Sequence, residues 1–500
     1  MTPPPTPTPT PTQGVPLASA GGRGTHGAEN ATTRQRGSGM ILAVLAFAGL
    51  GASFMQTILI PIQGELPKLL NTTSDNTAWV ITATLVAAAV CTPVAGRLGD
   101  MFGKRRVAMV LLLLQAVGAI LAALSNDVVT MVIARVLQGM VAGVIPLGIS
   151  ILRDVLPPRR LGSGIALVSA TLGVGGALGL PLSAVVAENF DWHVLFWVAG
   201  GIAVLAFVAY AIFVPSSAQR SPGRIDVVGI IGLALGLVGV LVAVSRGGEW
   251  GWGDARTLTL LIGGVVVLLI WGVIELLVKD PLVDLRVSAR GPVLLTNLAS
   301  VAMGFALFAS NVVLPQLLVL PRATGIGLGL TLTVAALILA PAGLAMMAMS
   351  PVAGKIELRW GAKPLLIIGA AVLALAYGLA LIFHAEAWQI LVVNVVLGVG
   401  VGLGYAAMPA LIMQAVPAQE TGAANGLNAL MRSLGTSIAS AVAGAILAQS
   451  ITTVGGVAGP SEGGFLLTLT LGLGAAIVCV IIAAFIPRPR ADQESAIELS

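Results

Sequence analysis

The chain has 500 residues, 57% hydrophobic and only 9% charged, with a formal net charge of +5 and an isoelectric point near 9.6. A soluble domain is about one quarter charged, so this composition excludes a water-soluble globular protein. The basic balance does not argue for nucleic acid, because basic loops also orient helices in a bilayer.

Residues 1–39 open on MTPPPTPTPTPT and continue rich in Gly and Ala. Such low complexity cannot bury a core, so a disordered tail is expected there. It is not a signal peptide, since no basic segment directly precedes a short apolar core and cleavage site. Apolar runs then follow at about 40–62, 77–95, 107–124, 128–151, 163–187, 194–214 and 226–245, and at 257–278, 293–318, 327–350, 364–383, 387–411, 421–449 and 464–486. Each is long enough to cross a hydrocarbon core of about 30 Å at 1.5 Å per residue. The reading is therefore an all-α integral membrane protein with fourteen transmembrane helices. With the amino terminus placed in the cytoplasm, twenty of the 26 Lys and Arg residues fall in segments on that side, four on the other, and two within runs. That bias predicts a multi-pass protein of the cell membrane with both termini cytoplasmic.

Between the second and third runs lies GRLGDMFGKRR, residues 96–106, with five charges in eleven positions. Topology accounts for its basic residues but not for Asp100 or for the glycines at 96, 99 and 103. A second turn, GKIELRWGAK at 354–363, repeats the spacing, since Gly354 and Gly361 are seven apart, as are Gly96 and Gly103. The offset between the two turns exceeds the length of the first six runs by about the 215–292 stretch that holds runs seven and eight. The chain is thus read as a six-helix bundle (40–214), a linker with two extra transmembrane helices (215–292), a second six-helix bundle (293–487) and a tail (488–500). Parallel repeats of this kind build transporters whose substrate sits at the repeat interface.

GRLGDMFGKRR resembles the helix 2–3 signature of the major facilitator superfamily (MFS), with Gly96, Asp100, Gly103, Lys104, Arg105 and Arg106 at its marked positions. RVLQG, from Arg135 to Gly139, resembles the family's helix 4 signature. GALGLPLSA, with Gly176, Gly179 and Pro181, sits where the family's antiporter motif falls on helix 5. Fourteen spans resemble the drug:proton antiporter branch, so the resemblance covers about residues 40–487. It implies two bundles rocking around a midplane site, protons as the coupling partner, and Asp100 as part of a cytoplasmic gate. The sequence departs from the pattern at Met101, in the helix 5 motif, and at Leu358, which holds the aspartate position of the second turn. Met55 holds a helix 1 position that is aspartate in many drug transporters.

The residues carry their own chemistry. Arg135 lies roughly 12 Å inside the fourth run and Arg432 near the middle of the thirteenth. An intramembrane arginine costs several kcal/mol unless it finds a cavity or partners. Gln138 shares a face with Arg135, and Asn425, Asn428 and Thr436 share one with Arg432. These polar stripes are expected to line a substrate or coupling cavity, the competing reading being helix–helix hydrogen bonds. The first six runs hold no deep carboxylate. Glu65, Glu188 and Asp191 sit near outer ends, and Asp226 and Glu275 near the inner ends of the two extra helices. Two arginines without a buried acid suit neutral or anionic substrates better than lipophilic cations.

Cys91, Cys479 and three scattered histidines form no metal or redox spacing, so neither a metal nor a cofactor is expected. The glycine runs lack GxxxxGK[ST] and lie in apolar helices. Pairs such as Gly139/Gly143, Gly175/Gly179, Gly400/Gly404 and Gly422/Gly426 are instead expected to be close helix contacts. Trp250 and Trp252 are expected as interfacial anchors. The chain is read as no enzyme but a secondary transporter, taking a small-molecule substrate through the lipid bilayer by proton-coupled efflux. An uptake symporter or facilitator, and a non-transporting receptor or scaffold, are the alternatives.

Overall fold

The computed structural model describes residues 24–487 apart from 60, 61, 64, 217–220, 222, 455 and 456. Among these residues fourteen helices are long and apolar enough to span a membrane. They are α1 (Gly37–Thr57), α2 (Asp75–Phe102), α3 (Lys104–Ala123), α4 (Val128–Val155), α5 (Pro158–Ser183), α6 (Val194–Phe213) and α7 (Val227–Trp250). The second seven are α8 (Ala255–Leu277), α9 (Gly291–Val319), α10 (Leu332–Trp360), α11 (Ala362–Ile382), α12 (Ala387–Ala415), α13 (Ala418–Gln449) and α14 (Glu462–Phe485). The helix containing α1 begins at Gly24, within the stretch expected to be a tail. The Pro/Thr run lies outside the described residues, as does the expected tail at 488–500. A two-stranded antiparallel hairpin, β1 (Ile451–Val454) and β2 (Val457–Pro460), joins α13 to α14 and was not anticipated.

The two charged stretches read as turns are largely helical. α2 runs through residues 96–102 and ends at Gly103, whose φ of 103° opens the turn into α3. In the second half the helix Ser350–Trp360 runs through the matching stretch and Gly361, with φ of 88°, opens into α11. The polar residues do not end these helices. A backbone with positive φ ends them, and glycine adopts it without steric cost.

The repeat is a repeat of packing. In the first half α1 packs on α5, α2 on α4, α3 on α4 and α3 on α6. In the second half the matching pairs are α9 on α13, α10 on α12, α11 on α12 and α11 on α14. Between halves α2 meets α13 and α5 meets α10, which are again the same pair after exchange of halves. Close approach rests on the glycine pairs expected to provide it. A Cβ on Gly139 or Gly143 would strike α2, one on Gly175 or Gly179 would strike α1, and one on Gly422 or Gly426 would strike α2.

The insert is α7 and α8. They meet backbone to backbone at Gly236, Gly239 and Gly264. α7 lies along the seam between α2 and α13, where Leu233, Leu237 and Leu241 pack with Ala89, Leu427 and Leu430. α8 turns most of its apolar surface outward. At the far end of α7 the buried Arg246 guanidinium lies between the rings of Trp79 and Trp250, 5.4 Å from each. It also pairs with Asp75, in α2, and with Glu249 at 2.9 Å. Trp250, expected as an interfacial anchor, thus also serves as half of a cation–π clamp.

Gly361→Ala should lower stability by about 1 kcal/mol, because an L side chain is strained at that φ. The thermal unfolding midpoint of purified protein measures this, and an unchanged midpoint would show the turn to be unconstrained.

Candidate functional site

The face where α2 ends and α13 begins carries Arg97, Arg159, Lys355 and Arg359, and is the basic face of the molecule. There the Asp100 side chain, 1% exposed, crosses from one half to the other. The Gly422 N–H donates to its Oδ1 at 3.1 Å and the Ala423 N–H donates to its Oδ2 at 2.8 Å. Within α13 a 3₁₀ turn (Ala418–Glu420) leads into the α-helix from Thr421, and both amides belong to the first turn of that α-helix, where N–H groups have no partner of their own and the helix dipole favours an anion. Gly96 makes the approach possible, since a Cβ there would fall on the Gly422 carbonyl.

The rest of the signature acts within its own half. Lys104 is buried and pairs with Asp154 at 3.0 Å while donating to the Ser150 carbonyl at 3.3 Å, strapping α3 to α4. Arg105 donates to the Ala211 carbonyl of α6, and Arg106 is exposed. A further cross-half bond comes from Arg153, whose Nη1 donates to the Val416 carbonyl at the end of α12, 3.4 Å away. At the symmetry-related seam a Cβ on Gly354 would strike Ser163, and one on Gly162 would strike Glu357 Oε2. That oxygen has no hydrogen-bond partner. Leu358 holds the aspartate position by spacing, but its neighbour Glu357 is the acid at the interface.

Arg135, 1% exposed, donates to the Met55 carbonyl at 3.1 Å and to Gln138 Oε1 at 2.9 Å. That carbonyl belongs to α1, so the bond ties α4 to α1. In the second half Arg432, 8% exposed, donates to Asn428 Oδ1 at 2.9 Å and lies 5.0 Å from the Tyr405 ring centroid of α12. Asn428 in turn donates to Asn297 Oδ1 at 3.0 Å and Ser300 Oγ at 2.8 Å, both on α9. Asn425 donates back to the Thr421 carbonyl and leaves its own Oδ1 buried without a partner. The stripe expected to line a cavity is thus packed: Asn428 bonds across to α9, whereas Asn425, Arg432 and Thr436 hydrogen-bond within α13. Tyr405, Asn297 and Ser300 were not anticipated; a lone tyrosine in an apolar glycine-rich run was the available signal for Tyr405.

The helix 5 motif packs against α1. A Cβ on Gly179 would strike Thr57 and crowd Phe54, one on Gly176 would lie against Thr57, and Pro181 stands inside the helix. No group of three or more His, Cys, Asp or Glu residues able to hold a metal occurs among the described residues.

Two six-helix bundles of matching helix packing, joined at one face by a charge-to-helix contact, have the architecture of a membrane transporter. Residues 45–440 match the family model of the Major Facilitator Superfamily, with a second match at 296–499, and the chain belongs to that superfamily. It is 28% identical to lincomycin resistance protein LmrB of Listeria innocua over 89% of this chain and 94% of the relative. It is 23% identical to multidrug resistance protein 3 of Bacillus subtilis over 85% and 82% of the two chains. The fold matches the human organic anion transporter MFSD10 with a TM-score of 0.63 at 14% identity, covering 89% of this chain and 99% of that one. It also matches the proton:xylose symporter XylE with a TM-score of 0.60 at 15% identity, covering 91% and 97%.

Asp100→Asn should slow transport about tenfold while expression stays near wild type, because about 1–2 kcal/mol of charge-to-helix attraction is lost at a surface-facing helix end. Transport at the wild-type rate in reconstituted vesicles would show that the contact does not govern the transport cycle.

Proposed function

We propose that this transporter exports drug-like or secondary-metabolite molecules by alternating access, with the basic face in the cytoplasm and protons moving inward in exchange. The observation that carries the reading is the bond from Asp100 to the first turn of α13, which closes one face between the two repeats and must break for that face to open. The names of the relatives, a lincomycin resistance protein and a multidrug resistance protein, support export of drugs. Proton exchange follows the family resemblance, and no single residue is assigned to it. The boundaries of the two bundles and of the insert follow the repeat, and the basic loops support the orientation.

Substrate preference follows from the two arginines. Each sits inside its own bundle with a hydrogen-bonding neighbour one turn away on the same helix, Gln138 beside Arg135 and Asn428 beside Arg432. Neither has a carboxylate within 4.0 Å among the described residues. Opening of the central cavity exposes Arg432 and Tyr405 to substrate, so neutral and acidic compounds are favoured over lipophilic cations.

Export from a strain lacking its own exporters tests the direction. Arg432→Ala should reduce export of acidic compounds about tenfold and of neutral ones less, since only the former lose a charge pair. Wild-type export of ethidium-like cations in preference to acids would contradict the assignment.

Orientation is read by thiol labelling, since Cys91 and Cys479 are both buried. Gly253→Cys, in an open turn between α7 and α8, should react with an impermeant reagent in whole cells, whereas Arg359→Cys should react only after permeabilisation. The opposite pattern would invert the topology.

A further inference from the structure

The insert carries two acids that alternating access does not use. Asp226 caps α7, its Oδ1 accepting the Gly229 N–H at 2.7 Å, while its Oδ2 is buried without a partner. Glu275, at the same end of α8, is 2% exposed, and both of its oxygens are buried without a partner. A Cβ on Gly229 would strike Glu275 Oε1 and Asp226 Oδ2 at once, so α7 and α8 bring the two carboxyl groups into one small space. The Trp271 indole N–H and the Leu282 and Val283 amides lie on the Glu275 side without reaching hydrogen-bond geometry.

The charged groups on the surrounding elements do not answer this pair. The cations are Arg97 of α2, Arg224 in the linker before α7, and Lys279 and Arg286 after α8. Among the described residues none of them stands within 4.0 Å of either acid. The Arg97 guanidinium lies against Gly223, and Arg286 donates to the Leu276 carbonyl at 2.8 Å. The other acids at this end, Asp280, Asp284 and Glu420 of α13, only add negative charge. Two ionised carboxylates in one desolvated space are strongly disfavoured, because burial penalises each charge and repulsion adds to the penalty. A metal or organic cation has no way in, since none of the three unpartnered oxygens has accessible surface. A proton has one, because a cavity of about 620 Å³ at the edge of the basic face is lined in part by Asp226.

We propose that Asp226 and Glu275 together bind one proton from the solution at the basic face, and that this proton holds the ends of α7 and α8 together there. Asp226 is stabilised as an anion by the Gly229 amide and the α7 dipole, so the proton resides on Glu275. The pair belongs to the insert and to neither bundle, so the site is separate from the proton exchanged for substrate. Packing that needs a bound proton is complete at low pH and weakens as pH rises and the proton leaves. The α7–α8 contact at Gly236, Gly239 and Gly264 then remains, while the ends part. The Ser221 N–H donates to the Asp100 carbonyl at 2.8 Å, and α7 packs along the α2–α13 seam. The insert thereby transmits the pH at the basic face to the gate, whatever the transported substrate.

The test is infrared difference spectroscopy of full-length protein in lipid as pH is stepped upward. The parent protein should show a protonated carboxyl band that persists after exposed carboxyl groups have ionised and then fades. Glu275→Gln should lack that band. Asp226→Asn, which keeps a capping residue at α7, should lose it at lower pH than the parent, because the neighbouring charge is gone. Replacing sodium by potassium in the buffer should change nothing. Spin labels at Val228→Cys and Leu277→Cys, both exposed, should move apart as the band fades, with Cys91 and Cys479 replaced. In Glu275→Gln that distance should not depend on pH. A band that Glu275→Gln leaves intact would mean that Glu275 is ionised throughout. A band indifferent to Asp226→Asn would mean two independent acids, and one displaced by sodium a metal site. Any of these results, or a label distance that ignores the band, overturns the proposal.

Discussion

The proposed gate rests on the Asp100 carboxylate, which joins the two halves at the first α-helical turn of α13. It satisfies two amides that the helix itself cannot satisfy, and it places a negative charge at the positive end of the helix dipole. Each hydrogen bond to a charged group contributes about 1.5–3 kcal/mol. That is strong enough to hold two bundles in register and weak enough to yield to a ligand that favours the other state. The neighbouring glycines matter because this chemistry works only at hydrogen-bond distance. Gly96 and Gly422 remove the side chains that would hold the helices apart.

The two halves are alike in architecture and unlike in chemistry. The α2–α13 seam closes with a carboxylate satisfied by amides, whereas the α5–α10 seam closes by packing, with Glu357 pressed on Gly162 and one oxygen unanswered. The seams also differ in what covers them. Along α2–α13 lies α7, fixed at the far end by Arg246 between two tryptophans and tied at the basic end to the Asp100 backbone through Ser221. The insert is thus fastened chiefly to the first half and packs against the second.

Much of this was legible in the sequence, for identifiable reasons. Hydropathy located fourteen spans because lipid permits no partly apolar helix to cross it without consequence. The repeat was visible because Gly103 and Gly361 are each required by a positive φ, and a backbone requirement leaves a fixed residue at a fixed spacing. The charged stretches resemble turns by their polarity, whereas only backbone conformation, the positive φ at Gly103 and Gly361, ends these helices. Asp100 could be marked from its neighbours, but its partners are main-chain amides at Gly422 and Ala423, more than three hundred residues away, which no side-chain pattern reports. The arginines were found from their cost in a membrane. Tyr405 was not, because a tyrosine facing a cation inside an apolar helix looks like any other core aromatic. Glu275 was noted near the end of its run, but its crowding against Asp226 arises from the pairing of α7 with α8 and was invisible from either helix alone.

The central claim is that Asp100 at the α13 N-terminus holds the two halves together at the basic face. It is tested most directly by the distance between spin labels at Arg159→Cys and Arg359→Cys, one in each half and both exposed at that face. The measurement uses protein in lipid with Cys91 and Cys479 replaced. The account predicts one short, narrow distance population in the parent protein, and a second, longer population in Asp100→Ala. An identical distribution in the two proteins would contradict it.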